Sequence, residues 1–130
     1  PVPVEITYGL ERLCMFVQGK NNVFDLDWNN NGVKYKEVFF QAEKEFSAYN
    51  FEFANTDTLL KNFDSTENEC QTLLEKKLSL PAYDQCLKAS HIFNLLDARG
   101  VIGVAERTGY INRIRELSKG CGSLWLSAQA

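Results

Sequence analysis

Four residues near the start of the chain, Glu5, Thr7, Gly9 and Arg12, form the one constellation whose types and spacing suggest chemistry. In an extended segment, residues two apart point to the same face, so Glu5 and Thr7 stand side by side and Ile6 and Tyr8 face the other way. A carboxylate beside a hydroxyl suits a small cationic group such as an amine. Gly9 has no side chain and lets a flat or bulky ligand approach the backbone. Arg12, in the first turn of a following helix, is placed to hold a phosphate. An acid for an amine, a gap for a ring and a guanidinium for a phosphate fit a site that activates an amino acid with a nucleotide. The same residues also fit a plain surface, because strand–glycine–helix turns and Glu–Arg neighbours at helix starts occur in many folds.

The elements that must position these groups follow from local pattern. From Val4 to Tyr8 polarity alternates among β-branched residues, which predicts a short strand. Gly9 breaks it, and Leu10–Gln18 reads as a helix stopped by Gly19, with Leu10, Leu13, Phe16 and Val17 as its buried face. A single strand needs ladder partners for its backbone groups, and no convincing second strand lies downstream. With a first residue that is proline, this suggests a piece of a larger protein whose preceding part completes the sheet.

Residues 21–33 are rich in Asn, Asp and Gly and read as a loop, anchored by Val23, Phe24, Leu26 and Trp28. A helix is expected from Tyr35, grading into a less regular tail near Ala54, with the aromatics between Phe39 and Phe53 forming a core. Asn55 or Thr56 caps a long helix to about Leu78. Pro81 suits the first position of the next, which ends near Arg99 and Gly100. The last begins between Gly103 and Glu106, and Tyr110, Ile114, Leu117, Cys121 and Leu124 form its apolar seam. The expected fold class is therefore mainly α: a short N-terminal strand, then a C-terminal helical bundle. The corresponding organisation is 1–20, a strand and helix; 21–34, a connecting loop; and 35–130, a helical domain.

Length and charge narrow the function. With 130 residues the chain is one domain's worth, and its 14 basic and 17 acidic residues give a net charge of −3. Residues 37–75 hold nine acids against two bases, while residues 76–130 hold eight bases against four acids. No global basic field exists to hold DNA or RNA, so any nucleic-acid contact must be local. Cys14, Cys70, Cys86 and Cys121 are far apart and accompanied by one histidine, His91, a poor basis for zinc. The cysteines read as small core residues, and His91 as a core or partly buried one. No signal peptide or membrane-length apolar run is present, which points to a cytoplasmic protein with reduced thiols.

Glu5-Ile6-Thr7-Tyr8-Gly9-Leu10-Glu11-Arg12-Leu13 resembles motif 3 of the class II aminoacyl-tRNA synthetases, in the version carried by the α subunit of bacterial α/β-type glycyl-tRNA synthetase. Tyr49-Asn50-Phe51-Glu52, Leu80-Pro81-Ala82-Tyr83, Phe93–Arg99 and Glu106-Arg107 with Tyr110-Ile111 are similar to stretches of that subunit in the same order, so the likeness covers essentially the whole chain. The resemblance implies a glycine–tRNA ligase component. It implies that Arg12 is the motif 3 arginine that holds ATP bent, that Gly9 lies under the adenine, and that Glu5 and Thr7 line the pocket for the glycine ammonium. Glu11 is read as support for the arginine or for helix packing. Residues 1–20 become the end of the catalytic domain, its strand a remnant of the antiparallel class II sheet.

The resemblance further implies ATP as substrate with Mg2+ in the intact enzyme, and no metal site is expected from the residues here. The partners it implies are the β subunit, a second α subunit, glycine, and tRNA(Gly) held mainly through the β subunit. Motifs 1 and 2 are not among these residues, so the segment alone is expected to be inactive. The basic side of the last helix, with Arg107, Arg113, Arg115 and Lys119, is either a solvated face or a contact for the β subunit or tRNA. The rival readings are a helical assembly module that binds no nucleotide, and a synthetase paralogue without aminoacylation.

Overall fold

A computed structural model describes residues 2–129. Five α-helices dominate: α1 (Leu10–Gln18), α2 (Tyr35–Ala48), α3 (Thr56–Glu75), α4 (Ser79–Ala98) and α5 (Val104–Ser127). They fall into two compact units, residues 1–48 and residues 49–130.

In the first unit the expected strand is absent. Residues 2–9 have no regular structure, and the one bridge among the described residues pairs Asp27 with Lys34. The reason is that β-propensity in Val4–Tyr8 has no neighbouring ladder to express it. The helix prediction holds to the residue: α1 runs Leu10–Gln18 between Gly9 (φ +59°) and Gly19 (φ +62°). Gly19 ends it with amide bonds from Gly19 and Lys20 to the carbonyls of Phe16 and Met15. Its expected buried face is open, however: Leu10, Phe16 and Val17 are 72%, 86% and 80% exposed, because no other described element of the first unit packs over them.

The loop after α1 is tied down by side chains. The Gln18 amide donates to the Asp27 carbonyl (3.1 Å) and accepts from the Asp27 N–H (2.8 Å). Asn22 accepts from the Phe24 N–H and starts a 3-10 turn, Val23–Asp25, and Asp27 pairs with Lys34 and Lys20. Leu26 is the buried anchor, while Phe24, Trp28, Tyr35, Phe39 and Phe40 pack against one another in edge-to-face and tilted pairs at centroid distances of 4.7–6.3 Å. This cluster is only half-covered, so the aromatics here do not make the closed core that their density predicts.

The second unit opens with a π-helical turn, Tyr49–Phe53, whose aromatics are exposed. Arg99 holds its end by donating to the Ala54 carbonyl at 2.9 Å. Helices α3, α4 and α5 then form the bundle. Its core is Leu59, Phe63 and Cys70 from α3, Ala82, Cys86, Ala89, Phe93 and Leu96 from α4, and Leu117 and Cys121 from α5. The predicted seam of α5 is confirmed, with Leu117 and Cys121 at its buried centre. Pro81 falls at the third position of α4 instead of the first; it is still in the opening turn, where its missing N–H costs nothing. Asn55 caps α3 by accepting from the Thr58 N–H at 2.9 Å. Asn55→Ala should therefore lower bundle stability by about 1 kcal/mol, measurable as a urea midpoint shift at unchanged slope.

Three of the cysteines are core residues as expected, one on each bundle helix; Cys14 is exposed on α1. Burial, reinforced by the nearby Cys121 and Cys86, pushes the Cys70 thiol up to about 12, so it stays protonated and unreactive. His91 departs from the expected core or partly buried position: it is exposed on α4, where it lines an open groove with Asn62, Ser65 and Asp84.

The basic side of α5 also differs from expectation. Arg107 forks onto the Asp97 carboxylate (3.0 and 3.2 Å). Arg113 reaches across to α3, donating to both oxygens of Glu67 and to Asp64, with its guanidinium 4.6 Å and 5.0 Å from the rings of Phe63 and Tyr110. Of the four bases, Arg107 and Arg113 are thus held by carboxylates of α4 and α3, Lys119 pairs loosely with Glu116 on α5 itself (3.9 Å), and Arg115 has no ion pair among the described residues.

Candidate active site

The first unit assembles the predicted groups around the start of α1. Gly9 sits in the left-handed region, which L-residues with a side chain rarely adopt. Its carbonyl accepts from the N–H groups of Arg12 and Leu13 (3.1 and 3.2 Å), so the helix begins at once and Arg12 falls in its first turn. A Cβ added to Gly9 would meet nothing closer than Arg12 Cβ at 4.0 Å; the demand for glycine comes from the backbone angle, not from crowding.

Thr7, Tyr8, Gly9, Glu11, Arg12, Met15 and Val23 line an open groove of about 480 Å³. Three of the four predicted site residues are therefore brought together. Glu5 does not line the groove, but its carboxylate accepts a hydrogen bond from the Thr7 hydroxyl at 2.7 Å. The two side chains meet on one side of the segment even without a strand.

Arg12 is the only base on the groove, and its guanidinium makes no hydrogen bond or ion pair among the described residues. It is free to take an anion. Glu11, its neighbour, is engaged elsewhere, accepting a long hydrogen bond (3.4 Å) from the Tyr35 hydroxyl. That agrees with a packing role for Glu11 and gives no sign that it supports the guanidinium. Tyr8, Met15 and Val23 were not legible as groove residues. Met15 is the one with a signal, since it lies three positions after Arg12 on the same helix.

Arg12 gives the groove a single cation, and the Glu5–Thr7 pair adds a carboxylate and a hydroxyl next to it. Among the described residues, no group of three or more His, Cys, Asp or Glu side chains is placed to hold a metal ion. Nor is any described helix long and apolar enough to cross a membrane.

The family described as "Glycyl-tRNA synthetase alpha subunit" matches residues 1–130. The chain belongs to the glycyl-tRNA synthetase alpha subunit family.

Proposed function

We propose that this chain supplies the motif 3 wall of a glycine-activating site in an α/β glycine–tRNA ligase. The observation that carries the reading is the family match over the whole chain, joined to a groove in which one unpaired arginine stands beside a glycine turn. In the reaction, a glycine carboxylate oxygen attacks the α-phosphorus of ATP, pyrophosphate leaves, and the glycyl group then passes from AMP to a tRNA(Gly) hydroxyl. Arg12 takes the phosphate charge, so ATP is held in a bent form with its terminal phosphate near α1. Gly9 leaves room for the adenine. Glu5, steadied by the Thr7 hydroxyl, accepts hydrogen bonds from the glycine ammonium. Such a reaction depends on positioning and charge neutralisation more than on a general base.

A second α subunit and the β subunit complete the enzyme in this reading, with tRNA(Gly) held mainly by the β subunit in the cytoplasm. The acidic balance of residues 37–75 supports that division.

The test is glycine-dependent exchange of labelled pyrophosphate into ATP. The 130-residue chain alone should show no exchange above background, because a single arginine on an open groove cannot hold both the terminal and the reacting phosphate. The assembled α/β enzyme should show it. Exchange by the isolated chain would refute this assignment. A helical assembly module would instead bind no ATP in either form.

A further inference from the structure

On the far side of Glu11 from Arg12's groove, the first unit holds a second one of about 390 Å³, bounded by Trp28, Tyr35, Phe39, Glu11, Asp27 and Cys14. Its walls combine aromatic faces with carboxylates, and no lysine or arginine lines it. The rings are mutually braced, Trp28 against Phe39 at 5.3 Å and Tyr35 against Phe39 at 4.7 Å, yet Trp28 and Phe39 remain 52% and 39% exposed. Rings held against one another with part of their surface left open can offer π-density to a cation that enters.

The carboxylates are unequal. Asp27 is already paired with Lys34 and Lys20, which hold its carboxyl below the usual range. Glu11 accepts only the long bond from Tyr35, and a carboxylate has room for about three more. Across the ridge formed by Tyr35 and Phe39 lies another open groove, lined by Phe24, Phe46 and Glu43, again with no base. Partial burial and the charges of Glu11 and Glu43 both push the Tyr35 phenol up, a sign of negative potential along the ridge.

We propose that this aromatic ridge is a socket for the lysine or arginine side chains of a partner polypeptide, one cation seated against Glu11 on the open side of Trp28 and Phe39 and a second reaching toward Glu43. Two carboxylates flanking one aromatic ridge favour a chain bearing two cations over a single ion. A phosphate-bearing ligand is disfavoured by the same charges.

The chain has two tryptophans, Trp28 and Trp125, so a Trp125→Phe variant makes fluorescence report on the ridge alone. Titration with a blocked pentapeptide carrying two arginines should quench or shift Trp28 saturably, beyond the effect of sodium chloride at equal ionic strength. Glu11→Gln and Phe39→Leu should each weaken half-saturation by roughly five- to tenfold, the loss of one charge-assisted or cation–π contact. Both side chains are exposed, and far-UV circular dichroism checks that the helices persist. A response equal to that of salt, or one that both substitutions leave unchanged, overturns the proposal. Spermidine binding as tightly as the peptide would assign the grooves to free polyamines and overturn it too.

Discussion

Arg12→Ala in the assembled α/β enzyme is expected to slow glycine activation by about two to four orders of magnitude, the usual cost of removing a charge contact to a reacting phosphate. The side chain is exposed at the start of α1 and has no intramolecular partner among the described residues, so its removal takes nothing from the fold. Helix content and thermal midpoint should stay within error of the parent, which separates this variant from a misfolded one. The loss should appear in pyrophosphate exchange, with KM for ATP rising and KM for glycine changing little. Arg12→Lys should recover only part of the rate, because an ammonium keeps the charge but not the planar fork that takes two phosphate oxygens. An exchange rate within threefold of the parent enzyme would show that Arg12 is not the phosphate ligand.

Legibility followed the range of the interaction that decides each feature. Helix ends are set locally, and α1, the Asn55 cap and the start of α5 could be read from caps and glycines. The strand could not be read correctly, because Val4–Tyr8 has β-propensity but strand formation depends on a partner. The stripe Leu10, Leu13, Phe16 and Val17 has the period of a buried face, yet periodicity shows only that a face is apolar, not that something covers it. The aromatics between Phe39 and Phe53 failed as a predicted core for the same reason. In the candidate site, Thr7, Gly9 and Arg12 were placed in one groove by motif spacing across six residues of chain, whereas Val23 arrives through the folding of the loop. The bonds of Glu11 to Tyr35 and of Arg113 to Glu67 join residues 24 and 46 positions apart, beyond what charge patterning along one helix reveals.

That last contact reverses the expectation for the basic side of α5. Arg113→Glu should cost the bundle about 2–4 kcal/mol, lowering its thermal midpoint by roughly 10–25 °C. The side chain of Glu67 is only 13% exposed, so removing its partner strands a carboxylate at the α3–α5 seam, and a new carboxylate beside it adds repulsion. The cation over the rings of Phe63 and Tyr110 is lost as well, and Phe63 is fully buried. The cost falls short of that for a deep ion pair because Arg113 is itself 35% exposed and Asp64 lies in solvent. Arg113→Lys should lose about half as much, keeping the charge without the fork to Glu67 and Asp64. Arg115→Glu is the contrast, since Arg115 is exposed and makes no ion pair among the described residues, and its effect on stability should stay within about 0.5 kcal/mol. A drop in α–β association after reversal at Arg113 would therefore report a damaged bundle, whereas the same drop at Arg115 with stability intact would report a surface that meets the partner. Equal stability of the two variants in urea would show that the Arg113–Glu67 contact contributes nothing, and would return Arg113 to the set of surface charges.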